Sequence, residues 1–170
     1  MVKNKLIIGM LVVVGMLVAS CGSKKTADVN LETTVIAEGP FFEGGNSFMA
    51  PITIKMKEQV NDETFEEVTG VKVTGVEITI VGNEFDDLII FNSASFQFVS
   101  DVSPMTTVAI MNPLAFQGKS ANLVTSDEVE LTTFFNESEF TALLDLDFTE
   151  YAEIESMSVN VKMNFKVEYK

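Results

Sequence analysis

The sequence predicts an all-β domain, a single antiparallel β-sandwich of seven to nine strands, with a closed β-barrel as the alternative. Three observations carry that prediction. From Met157 to Tyr169 the chain alternates without a fault: Met157, Val159, Val161, Met163, Phe165, Val167 and Tyr169 are apolar, and the residues between them are polar or charged. A period of two is the mark of a strand with one face buried and the other wet. Turn signals recur at close intervals, at Gly39-Pro40, Gly44-Gly45-Asn46, Gly82-Asn83, Ser103-Pro104, Asn112-Pro113 and Gly118. Beyond the first twenty residues there is no long amphipathic helical pattern.

The chain opens on a different kind of element. Lys3 and Lys5 precede an apolar stretch of thirteen residues from Leu6 to Val18, followed by Ala19, Ser20 and Cys21. As a helix this signal stretch spans about 20 Å, short of the ~30 Å hydrocarbon core of a bilayer, so it suits entry into a translocon better than permanent anchoring. The order of basic residues, apolar run, small residues and cysteine resembles the lipobox of bacterial lipoproteins. The resemblance implies cleavage between Ser20 and Cys21, with Cys21 as the first mature residue, acylated on its thiol and on its new amino group. Cys21 is also the only cysteine, so no intramolecular disulfide can form in an exported chain. Each buried methylene contributes ~0.8 kcal/mol, and two or more acyl chains hold stably where one does not. Residues 21–30 are small and polar, and read as a flexible tether ahead of a domain at 31–170.

Along that domain, strands are expected at Leu31 to Ala37, in the alternation of Ile52, Ile54 and Met56, and at Val71 to Val81. In the third of these the apolar parity changes from Val71 and Val73 to Val76, Ile78 and Ile80, with Gly75 at the join, as at a β-bulge or a crossing between sheets. Ala94 to Val99, Thr106 to Met111, Ala121 to Val124 and Val129 to Thr133 follow as short strands. Phe140, Ala142, Leu144, Leu146 and Phe148 alternate as a strand that places Asp145 and Asp147 toward solvent, where a helix would scatter them. Asp62 to Thr69 and Glu84 to Ile89 are read as a helical turn or two each. The order of parts from Val71 to Lys170 (GVKVTGVEITIVG, NEFDDL, SASFQFVS, TTVAIM and a closing pair of strands ending in VNVKMNFKVEY) resembles small β-sandwich lipoproteins of Bacteroidota with no assigned activity. That resemblance lies in hydrophobic pattern and brings no site residues with it.

Composition excludes several function classes. Loss of residues 1–20 leaves nine lysines against 25 acidic residues, a net charge of −16, and arginine is absent. A surface of that kind repels nucleic acid. Histidine is absent as well, which removes the usual zinc ligands and the Ser-His and Cys-His nucleophile pairs. Tryptophan is missing and tyrosine occurs only at 151 and 169, so a carboxylate-based glycosidase lacks the flat rings on which sugars stack. Calcium needs only oxygen ligands, but neither Asn61-Asp62-Glu63 nor Glu84 with Asp86-Asp87 has the spacing of an EF-hand loop. No catalytic residue, cofactor or metal is therefore expected.

Gly39-Pro40-Phe41-Phe42-Glu43-Gly44-Gly45 is the most unusual loop. Its adjacent phenylalanines either cap one end of the domain or present an apolar tip to a partner or ligand, so Phe41 and Phe42 are the candidate contact residues. Phe134-Phe135 carries the same ambiguity. The combined expectation is a non-enzymatic protein of the cell envelope, held to a membrane through acyl chains on Cys21 and serving as a structural or protein-binding module. The alternative is a lipoprotein with an apolar cavity for a lipid or other small molecule. Gly22 follows the cysteine in place of the acidic residue that resembles an inner-membrane retention signal, which favours the outer membrane.

Overall fold

A computed structural model describes residues 24–82, 91–126 and 128–170. It contains eight strands: β1 (Lys25–Glu38), β2 (Gly44–Thr53), β3 (Val68–Val81), β4 (Phe91–Val99), β5 (Thr106–Met111), β6 (Ser120–Thr125), β7 (Glu139–Phe148) and β8 (Ser156–Tyr169). Two five-residue helices, α1 (Met56–Val60) and α2 (Thr132–Asn136), lie between them. All pairings are antiparallel, and the strands close into a barrel in the order β1-β2-β7-β4-β5-β6-β3-β8.

The pairing is nested. β1 pairs with β8, β2 with β7, β3 with β6 and β4 with β5, which is one long hairpin with its tip between β4 and β5. Rolling that hairpin brings β3 onto β8 and β4 onto β7, the strand order of a jelly roll. Two four-stranded sheets result, β6-β3-β8-β1 and β2-β7-β4-β5, and they meet along two thin seams. β1 and β2 share the single register pair Ile36↔Met49, whereas β5 and β6 share Ala109↔Thr125 and Ile110↔Val124. The sandwich and the barrel are thus one architecture, two sheets joined at their edges.

β8 is an inner strand of its sheet, and its two neighbours, each fourteen residues long, register along most of its length. All seven apolar residues of its alternation are buried. Gly75 marks a bulge, with the β3/β8 register shifting between Val73 and Gly75. Phe140 to Phe148 form a strand as expected, with every apolar member of the set inside.

Four local expectations are corrected. The tether reading of residues 21–30 runs too far, since β1 begins at Lys25 and Lys25 to Asn30 pair residue for residue with Tyr169 to Asn164. Those residues are polar because most of them face solvent, and only Val29 turns inward. The alternation at Ile52, Ile54 and Met56 leaves the sheet after Thr53, and Met56 opens α1. The helical turn expected from Asp62 to Thr69 is displaced toward the N-terminus into α1, and Val68 opens β3. Val129 to Thr133 is not a strand. Leu131, Phe134 and Phe135 are all buried, and their spacing of three and four is that of a helical face, which α2 provides. The signal stretch, and the turn expected at Glu84 to Ile89, lie outside the described residues.

The interior is filled by side chains from every strand, forming one contiguous core. Phenylalanines gather toward its two ends. Phe41, Phe48, Phe91 and Phe148 form one group, with ring centroids 4.7–5.6 Å apart in successive contacts. Phe98, Phe134, Phe135, Phe140 and Phe165 form the other, with Phe98–Phe140 at 4.6 Å and Phe135–Phe165 at 4.8 Å. Such pairs contribute roughly 0.5–1.5 kcal/mol each beyond the burial of their area.

Candidate functional site

The register sets the two ends of the barrel apart. Lys25 is level with Tyr169 and Glu38 with Ser156, so the chain enters at one end of β1 and delivers the Gly39–Glu43 loop at the other. At ~3.3 Å per residue, thirteen steps along β1 separate the two by about 43 Å of strand. The loop therefore stands at the end distal to the N-terminal entry.

Its two phenylalanines have opposite fates. Phe41 is 1% exposed and stacks at 5.6 Å on Phe48 and 5.2 Å on Phe148, closing the distal end of the core. Phe42 is 64% exposed, and its nearest ring is that of Tyr151, itself 54% exposed, at 5.8 Å. The capping and tip-presenting readings of this loop are both realised, one by each residue.

The backbone beneath the tip is tied on two sides. Phe41 exchanges both backbone hydrogen bonds with Ala152, at 3.0 and 2.9 Å, and Gly39 N–H donates to Glu155 O at 2.9 Å. Gly39 is required there, because a Cβ at that position would sit 1.8 Å from the carbonyl oxygen of Ile154. On the other side the Asn46 amide donates to Phe42 O at 2.8 Å and to Gly44 O at 3.0 Å, while Phe42 N–H donates to Asn46 Oδ1 at 3.3 Å. Phe42 is thus an exposed ring on a braced loop. Sequence reading missed Tyr151 and Asn46. Tyr151 is one of two tyrosines, and nothing local in the sequence announces its approach to Phe42.

The two distal loops that meet at the tip are acidic. Residues 38–47 and 147–156 together hold Glu38, Glu43, Asp147, Glu150, Glu153 and Glu155 and no lysine. Between Pro40 and Ile154 lies a cleft of about 290 Å3 that is also lined by Gly39, Tyr151, Glu153 and Glu155.

Three acids elsewhere in the barrel, Asp62, Asp145 and Glu137, have structural partners. Asp62 accepts from Lys25 Nζ at 2.6 Å, from Thr64 N–H at 2.9 Å and from Thr64 Oγ1 at 2.7 Å. The Lys25 ammonium, followed by the Thr64 donors, holds the Asp62 carboxyl far below the usual carboxylate range, and Asp62 in turn raises the Lys25 pKa. This pair ties the start of β1 to the loop after α1. Asp145 accepts from Ser47 Oγ and from Gln97 Nε2, which links β7 to both its neighbours. Glu137 accepts from Ser103 Oγ at 3.0 Å and Ser100 Oγ at 3.2 Å, fixing the loop between β4 and β5. Among the described residues no group of three or more acidic, histidine or cysteine side chains is placed to hold a metal ion. Phe134 and Phe135 are both buried in α2, which closes the proximal end of the core. Ser20 and Cys21, the expected cleavage and lipid-attachment residues, lie outside the described residues.

No protein-family model matches the chain, and none of the curated proteins matches it in sequence. Among solved structures it is similar to the decameric BFDV capsid protein, at 8% identity and a TM-score of 0.43, over 87% of this chain and 99% of that one. The capsid of Helicobacter pylori bacteriophage KHP30 follows at 14% identity and a TM-score of 0.38, again over 87% and 99% of the two chains. Likenesses this weak say nothing of what the chain binds.

Proposed function

We propose that this protein is a non-enzymatic, lipid-anchored component of the cell envelope, attached through acyl chains on Cys21, whose barrel presents its distal tip to a protein partner. One observation carries the partner-binding part of this reading. Phe42 and Tyr151 are exposed aromatic rings on a braced loop at the end of β1 opposite the chain's entry. An anchor upstream of Lys25 holds the proximal end toward the bilayer and turns this tip away from it. Aromatic side chains are the usual anchors of protein interfaces, since they offer a large contact area at low entropic cost.

The filled interior supports this reading over a small-molecule carrier, because the aromatic groups at the two ends and the aliphatic residues between them occupy the space a carried lipid needs. Asp62, Asp145 and Glu137 are engaged in ties that hold the barrel's strands and loops together.

Crosslinking in intact cells tests the partner reading. With benzoylphenylalanine in place of Phe42, irradiation is expected to yield one discrete adduct. Placed instead at Thr34, an exposed position on the barrel wall, the same group is expected to yield none. Absence of an adduct at position 42, or the same adduct at both positions, contradicts the reading.

A further inference from the structure

The distal cleft indicates what kind of partner surface fits. Its lining combines an aromatic residue, Tyr151, two apolar ones, Pro40 and Ile154, and two carboxylates, Glu153 and Glu155. Phe42 extends the aromatic surface beside Tyr151. Both glutamates are exposed, and neither has an ion-pair partner among the described residues. Lys119, at the same end of the barrel, donates to Gly82 O. The ends also differ in their cations, because Lys24, Lys25, Lys55, Lys57 and Lys170 all sit toward the proximal end.

We infer that this cleft receives an arginine side chain from a basic segment of a protein partner. The inference deepens the partner-binding reading above and rests on it. Arginine fits each wall of the cleft. Its methylene stem lies on Pro40 and Ile154, its planar guanidinium stacks on an aromatic face, and its forked donors meet the two carboxylates. A lysine ammonium is a compact, strongly hydrated point charge and stacks less well. The chain contains no arginine of its own, so a second copy of it cannot supply the group.

Calorimetric titration of the full-length chain in detergent micelles with N-acetylated tetra-arginine amide tests this. One peptide is expected to bind per chain, at least fivefold more tightly than tetra-lysine. Tyr151→Ala and the pair Glu153→Gln/Glu155→Gln are each expected to weaken binding at least tenfold, whereas Tyr151→Phe stays within twofold of the parent. Glu66→Gln/Glu128→Gln removes the same charge from exposed proximal positions and is also expected to stay within twofold. Several peptides per chain, equal affinity for tetra-lysine, equal loss in the two double variants, or no binding overturns the inference. An adduct at position 42 in cells together with no tetra-arginine binding separates the two claims: the partner surface stands and its arginine chemistry fails.

Discussion

Single side chains decide the local ties in this molecule, and the Lys25–Asp62 pair is one that responds to pH. The folded state depresses the Asp62 pKa, chiefly through the Lys25 ammonium and then the Thr64 donors. A depressed carboxylate contributes stability that is complete above its unfolded value of about 3.9 and is lost as the pH falls below that value toward the folded one. Asp62→Asn is therefore expected to lower the melting temperature at pH 7 and to flatten the fall in stability below about pH 4. A parallel acid limb in parent and variant would contradict that role. Gly39 is decided by space, because its missing Cβ would collide with Ile154 O. Gly39→Ala should cost roughly 1–3 kcal/mol of unfolding free energy in a denaturant titration, by forcing apart the ledge that carries Phe41 and Phe42. The partner of Gly39 lies more than a hundred residues away in the chain, so the sequence shows a turn at Gly39-Pro40 without showing why only glycine fits.

Among the elements, α2 has the clearest structural task. Phe134 and Phe135 seal the proximal end of the core, and the Asn136 amide exchanges hydrogen bonds of 2.9 Å with both Val68 N–H and Val68 C=O. It takes the place of a neighbouring strand at the start of β3. Asn136→Ala leaves both backbone groups without that partner and should cost about 1–3 kcal/mol, whereas Phe135→Ala should cost about 3–5 kcal/mol through the cavity it opens. A loss under 0.5 kcal/mol in either case would contradict the closure role. β7 and β8 were legible in the sequence because each has one buried face along its whole length. α2 reads as the end of a strand in the sequence because a five-residue helix is too short to show a period, and its burial depends on rings from β4, β7 and β8. The start of β1 was misread as tether because its polar residues face water, and only pairing with β8 identifies them as strand. The seams have their own device. Ile36 with Met49, and Ile110 with Val124, are exposed apolar residues directly opposite one another where the sheets join, and such cross-strand contacts reinforce pairings only one or two residues long.

At the largest scale, the described residues form a closed roll with two unlike ends. Its all-β class and strand count followed from alternation and turns. The nested order did not, since a period of two identifies strands without telling which ones pair. At the candidate site, Phe41 and Phe42 stood out by being adjacent apolar residues in a glycine-bordered loop, whereas Tyr151 and the acidic cleft appear only once β1 and β8 are brought level. If the interior is a packed core, native mass spectrometry of the gently released protein should give the mass of the acylated chain with no co-purifying small molecule. A stoichiometric adduct would favour the carrier reading. The central claim is the anchor, because it decides which end faces outward. Labelling cells with radioactive palmitate measures it most directly: the parent should incorporate label and stay with the membrane fraction, while Cys21→Ser should incorporate none and leave that fraction. An unlabelled parent whose Cys21→Ser variant fractionates identically would contradict the account.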